Sequence, residues 1–411
     1  VIYVYPGDGT SKGMDTGIVL QANQWLFGAS VTHPIPVVGN SSPIVIPSYA
    51  NARPIIKNSS GIAIELADNN VISGFFIPVE FQNGIDGENV SNPVIEKNII
   101  RGYGDDNSTG IFIKNSSGSI HICNNEFSDF NFNTTSASGF AILSDDDVSI
   151  SQLLCLNNTF SDFNCSNGAV DITAGGIIYL AAGTIDEIIV QDCFFNNFSI
   201  KNNSFPVVGL VLLLEEGRVD KCIVDRCMFE NSANGTAFHI VGIRNGSLGL
   251  QQVTNCTFSN LTQSSTGINF IVEPGYSGGI DSVVISANIF EAITDLSAGI
   301  SGDLNGDASR FIRIKINDNN FSGYGSAGWA MKLDTKTGTT CLSIVDNLSI
   351  PLNSPPNQPI KLSCETGAVF QVESADGAIG GVEALNNGVS IDVSTGVGFI
   401  PLQFVPIGNC P

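Results

Sequence analysis

Four short runs concentrate the side chains able to do acid–base or metal chemistry: Asp105-Asp106, Asp145-Asp146-Asp147, Glu215-Glu216 and Asp303-x-Asn305-x-Asp307. Two carboxyl groups flanking a glycosidic bond are the working minimum for polysaccharide hydrolysis, one as acid and the other as base or nucleophile. Among these runs Asp145, Asp146 and Asp147 form the densest group, and no further motif marks them as catalytic. Alternating oxygen ligands suit a hard cation, and Asp303, Asn305 and Asp307 match the opening of a calcium loop. An EF-hand would continue with Gly and end on a bidentate Glu, where this chain has Ala308 and Ile314. A solvated turn is therefore the plainer account. Calcium is the one cofactor the spacing would admit, and no other is expected.

The remaining reactive residues point away from catalysis. His33, His121 and His239 sit in no nucleophile motif, and there is no G-x-S-x-G, H-E-x-x-H or phosphate loop. His121 and His239 fall within strand patterns and read as structural. Ten Cys occur without a CxxC pair or a Cys/His cluster that could hold zinc. Cys341 and Cys364, about one repeat apart, are the one candidate disulfide.

Composition sets the frame for these residues. Seventeen Lys+Arg against 39 Asp+Glu leave a net charge of -22, which repels nucleic acid and offers no basic stripe for phosphates. Only 14% of residues are charged while 43% are apolar, so bulk disorder is excluded. The longest apolar runs, such as 207–214, fall far short of the ~18–20 residues of a membrane helix. The chain starts at Val1, which reads as a trimmed or mature product. Forty-four Gly, 17 Pro and dense Asn, Ser and Thr interrupt any long helix.

A repeat organises what remains. One column is occupied by Asn70, Asn98, Asn125, Asn158, Cys193, Cys227, Cys256, Asn288, Asn319 and Asn347. Two residues later come Ile72, Ile100, Phe127, Phe160, Phe195, Phe229, Phe258, Phe290 and Phe321. Three residues before it lie Ile95, Ile122, Cys155, Val190, Val224, Val253, Ile285, Ile316 and Ile344, and five before it another apolar series from Ile120 to Leu342. Successive rungs are separated by 27 residues (Asn98 to Asn125) up to 35 (Asn158 to Cys193). Alternating apolar positions mark a strand with one buried face, and copies spaced this way bury those faces by stacking. The expected fold is all-β, a right-handed parallel β-helix of about ten or more coils. Inside it, Asn amides would form a ladder, Cys would replace three of them, and Phe rings would stack. Residues 1–60 match no column and read as an N-terminal cap with the first strands; 61–350 are the repeats, and 351–411 final coils or a C-terminal cap.

These ladders resemble the pectin-lyase-like right-handed β-helix superfamily. Gly175-Gly176-Ile177-Ile178 and Phe194-Phe195-Asn196-Asn197 resemble the short repeats in passenger domains of chlamydial polymorphic outer-membrane proteins and related autotransporter-like adhesins. Arg313-Ile314-Lys315 resembles the basic motif of polygalacturonases, whose partner motifs N-T-D and H-G are missing. The resemblance implies an extracellular or cell-surface rod acting as an adhesin or structural surface component, with a host or neighbouring receptor or glycan as partner. Two alternatives are a polysaccharide hydrolase or lyase and a self-associating filament subunit. Sixteen N-x-[S/T] sequons, among them Asn58, Asn260 and Asn347, would be glycosylated surface turns on a eukaryotic secretory route, Asn347 being expected inside its ladder.

Overall fold

The computed structural model describes residues 1–7, 16–37, 42–49, 51–103, 109–132, 137–165, 173–200, 207–233, 237–262, 265–292, 298–305, 311–324, 329–351, 360–387, 390–394 and 399–408. Asp105, Asp106, Asp307 and Cys410 lie outside them. The chain winds as a right-handed parallel β-solenoid with three long sheets. The first has 14 strands, from Ile2–Val4 to Gln403–Pro406; the second has 11, from Phe76–Val79 to Leu348–Pro351; the third has 13, from Ile18–Val19 to Ile391–Val393. A coil visits each sheet once, as in Gly118–Cys123, Glu126–Ser128 and Ala137–Ser144.

The apolar columns become the registers of the first sheet. Ile122, Cys155, Val190, Val224, Val253, Ile285, Ile316 and Ile344 lie opposite one another on successive strands, and all are buried. The neighbouring inward series admits one polar member, Gln251, between Cys222 and Val283. Phe127, Phe160, Phe195, Phe229, Phe258, Phe290 and Phe321 stack with centroids 4.6–4.8 Å apart and rings within 10° of parallel. The spacing is that of hydrogen-bonded strands, so each ring repeats with the backbone beneath it. The Gly-Gly-Ile motif belongs to this packing: a Cβ on Gly175 would come within 3.1 Å of the Phe195 ring and 2.7 Å of the Gly209 carbonyl.

The asparagine ladder carries the first bend. The Asn125 backbone N–H donates to Asn158 Oδ1 (2.8 Å), and its Nδ2 donates to the Ile95 carbonyl of the preceding coil (2.8 Å). The pattern recurs at Asn98, Asn288, Asn319 and Asn347, so buried amides and bend N–H groups satisfy one another. In the Cys stretch the thiols of Cys193, Cys227 and Cys256 donate to the equivalent carbonyls of Cys155, Val190 and Val224 (3.3–3.7 Å). The left-handed backbone falls one residue earlier than the ladder, at Lys97, Asn124, Asn157, Asp192, Arg226, Asn255, Ala287, Asp318 and Asp346, with φ of 50–59°.

Two expectations are corrected here. Asn70 is outside the ladder: Ile72 pairs with Ile95, and Ile100 pairs with Ile77. Phe75 therefore occupies the rung position and donates its N–H to Asn98 Oδ1 (3.0 Å), while Asn70 donates to the carbonyls of Gln21 and Gln24 one bend earlier. The candidate Cys341–Cys364 bridge is not formed either, since Cys364 is a free, buried thiol while Cys341 is disulfide-bonded elsewhere. Cys341 faces outward from its strand, and Cys364 belongs to the third sheet. The ladder also gains a rung: Asn386, which ends the short helix Ile379–Leu385, accepts from the Asn347 N–H and donates to Ile344. Asn347, a sequon residue, is buried within it.

Residues 1–60 contribute strands to the first and third sheets, at Ile2–Val4, Trp25–Gly28 and Ile18–Val19, and an antiparallel pair, His33–Ile35 with Ile44–Ile46. His33 is buried there, stacked 4.2 Å from Phe27 and bonded through Nε2 to the Gly28 carbonyl. Beyond 351, strands Ile360–Cys364 and Val369–Ser374 continue the third and first sheets.

Candidate functional site

The outer face of the third sheet changes character around its middle strands, Thr173–Leu180, Val207–Leu214, Ala237–Ile243 and Thr266–Val272. Leu180, Leu214, Ile243 and Val272 point into the core, so by alternation Tyr179, Leu213, Gly242 and Ile271 form an outward column. A second outward group, Ala174, Val208 and Val211, is fully buried outside the barrel, with Ile177, Leu213 and Ile240 packed against it. The sequence explains the gap in this surface. Gly242 offers no side chain between Leu213 and Ile271, and a Cβ there would meet only the tip of Leu213, at 2.8 Å.

One residue beyond these strands, the backbone carries a row of alternating charge. Arg244 N–H donates to the Leu214 carbonyl (2.9 Å) and Glu273 N–H to the Ile243 carbonyl (2.9 Å), which places Glu215, Arg244 and Glu273 on successive rungs. The Arg244 guanidinium binds Glu215 Oε1 through Nη1 (3.1 Å) and Glu273 Oε2 through Nε (3.0 Å), and lies 6.0 Å from the Tyr276 ring. Tyr179 donates its hydroxyl to the other Glu215 oxygen. Tyr179, Glu215, Arg244 and Glu273, with Leu213, Leu214 and Gly242, line a cavity of about 280 Å³. The Tyr179 hydrogen bond, then Arg244, hold the Glu215 carboxyl below the usual carboxylate range. The same hydrogen bond pushes the Tyr179 hydroxyl up to about 12.

Only Glu215 among the carboxylates singled out from the sequence lies in this cavity. Asp145, Asp146 and Asp147 are an exposed turn. Asp145 is paired with Lys114 (2.6 Å) and Asp146 accepts from Asn115 Nδ2 (2.7 Å), so the triplet faces water and its own turn. Asp303 points outward and Asn305 is buried. Both Asp303 oxygens are already engaged, one by Asn305 Nδ2 (2.7 Å) and the other by Lys336 Nζ (2.7 Å). Asp303 does lie beside Asp334 on the next strand, but Asp334 accepts from Ser363 and forms an ion pair with Lys332 (3.8 Å). Among the described residues no group of three or more His, Cys, Asp or Glu is placed to hold a metal ion.

Arg313 and Lys315 flank the buried Ile314 on the outer face of the first sheet, as alternation predicts. His121 is half-buried and bonded to Ser119 Oγ (2.8 Å), and burial lowers its pKa. His239 is fully buried inside the solenoid, where burial lowers its pKa to about 4. Its Nδ1 lies 3.4 Å from the Leu210 carbonyl, and its Nε2 is unpartnered, as is Gln251 Oε1. Burial pushes the Cys222 thiol up to about 12, so it is inert as a nucleophile.

Tyr179, Gly242, Arg244 and Glu273 do not stand out along the chain. Their signal is an acid–base–acid alternation at a constant offset after the third-sheet strands, visible only once those strands are laid over one another. No protein-family model, curated protein or solved structure matches the chain.

Proposed function

We propose that this chain is an extracellular or cell-surface β-solenoid that acts by non-covalent recognition, as an adhesin or structural surface component, without turnover. One observation carries this reading. The cavity that gathers two carboxylates keeps them on a single guanidinium, with Glu215 held below its ordinary pKa. A glycosidase acid needs the opposite, a carboxyl raised so that it is protonated near neutral pH. Among the described members of the other carboxylate runs, Asp145 is paired with Lys114 and Asp303 with Lys336. The bonded state of Cys341 agrees with an oxidising compartment. The likeness of the repeats to pectin-lyase-like proteins and chlamydial passenger domains agrees with a displayed rod.

The test is a reducing-end and unsaturated-product assay on neutral and acidic polysaccharides, with and without calcium. No product above buffer is expected. Turnover that disappears in Glu215→Gln or Asp145→Asn would replace this reading with a hydrolase or lyase.

A further inference from the structure

We infer that the cavity beside Arg244 is a subsite for one uncharged pyranose ring of a glycan, an assignment that rests on the recognition reading above. Its volume of about 280 Å³ lies at the lower edge of small-molecule sites, about 300–1,000 Å³, and fits one ring better than a chain. Floor and rim differ in chemistry. The floor is the Leu213 side chain and the bare Gly242 backbone, with the Tyr179 ring beside it, an apolar surface for the C–H face of a sugar. The rim is the Glu215–Arg244–Glu273 row.

Unused valences in that row select for hydroxyls. Glu215 spends one oxygen on Tyr179 and one on Arg244. Glu273 binds Arg244 through Oε2, so among the described residues its Oε1 is an open acceptor and Arg244 Nη2 an open donor on the same ion pair. A hydroxyl both donates and accepts, so one or two adjacent sugar hydroxyls answer this pair. The neighbouring ion pairs hold both groups in place before a ligand arrives, which lowers the ordering cost of binding. Stability alone does not account for the row, because exposed pairs of this kind contribute ~0–1 kcal/mol.

Charge narrows the class. Two carboxylates and one guanidinium leave the rim at -1 on a chain of -22, which disfavours uronates, sialylated or sulfated sugars and phosphates. The central Arg244 disfavours cations. An uncharged, hydroxyl-rich ring remains.

The experiment is ligand-observed NMR and calorimetric titration of the whole chain with neutral hexose, N-acetylhexosamine and uronate oligosaccharides. At least one neutral series should saturate while uronates do not. Gly242→Leu keeps every rim charge and fills the floor, and Arg244→Ala keeps the floor and removes the central donor; each should weaken binding at least tenfold with an unchanged far-UV spectrum. Tyr179→Phe, which retains the ring, should weaken it less. Lys361→Ala, on the same sheet away from the cavity, should bind like the parent. Absence of saturation by any neutral sugar, preferential uronate binding, or binding unaltered in both Gly242→Leu and Arg244→Ala would overturn the assignment. Release of product from the bound sugar by the parent chain would instead overturn the recognition reading, so the two failures are told apart.

Discussion

Between Thr173 and Val272 the Phe column of the second sheet stacks like on like, whereas the outer face of the third sheet varies from rung to rung. Inside, Phe195, Phe229 and Phe258 repeat at 4.7–4.8 Å. Outside, the column reads Tyr179, Leu213, Gly242, Ile271, and the next reads Glu215, Arg244, Glu273. The rings of this column share one environment, so one side-chain shape solves each rung, whereas the inward register Leu210, His239, Ile268 does not repeat. Exterior positions are under no such constraint, and a place where size and charge alternate within a cavity is a place where binding can be built. The contrast also separates two kinds of polar group: ladder amides that are fully partnered within the core, and rim groups that keep an open donor and acceptor.

The largest break in this contrast should come from the core. Phe195→Ala opens a gap in a stack of fully buried rings and should cost about 3–5 kcal/mol in urea denaturation. Next is His239, an imidazole placed among the interior columns. Its folded pKa of about 4 lies below its ordinary 6.5, so the unfolded chain binds the proton more readily. Stability should therefore fall as pH drops from about 6.5 to about 4, by up to about 3 kcal/mol, and should not fall further through this group below that. His239→Ile, matching Ile268 in the same register, should flatten that slope in thermal melts at pH 7 and pH 4.5.

A smaller effect sharpens the comparison within the ladder. Asn319→Ala strands the buried Asn288 N–H and should cost about 2–3 kcal/mol. Cys227→Ala removes only a weak thiol donor and a small volume, and should cost about 1 kcal/mol. Equal losses in chemical denaturation would show that the ladder's hydrogen bonds add nothing beyond packing. The smallest stability effect belongs to the rim: Arg244→Ala should shift stability by no more than about 0.5 kcal/mol. A loss of several kcal/mol there would make the row a structural clamp.

Much of the fold was legible because a solenoid writes its contacts as periodicity. The minus-three column and the Phe column are the registers of two sheets, recovered from residue type alone. Asn70 misled because Asp-Asn-Asn-Val-Ile-Ser has the outline of a rung without its strand in front; only the pairing of Ile72 with Ile95 reveals the shift. Gln251 is not marked by its residue type, because a polar residue at an inward position breaks the apolar pattern that identifies such positions. Of the cavity, only Glu215 was legible, as one half of a Glu-Glu pair. Its other members come from four coils, at positions where neighbours are unlike and no repeat flags them.

The sequence by itself determined the architecture, since strand period, bend residues and coil length leave few ways to bury so many short apolar faces. It also determined the net charge of -22. Tertiary structure decided which charges meet. Residues 29 apart, such as Glu215 and Arg244 or Arg244 and Glu273, touch because successive coils stack in parallel at the spacing of one strand. Whether the space beside them is filled or open depends on Gly242 standing at that register between Leu213 and Ile271.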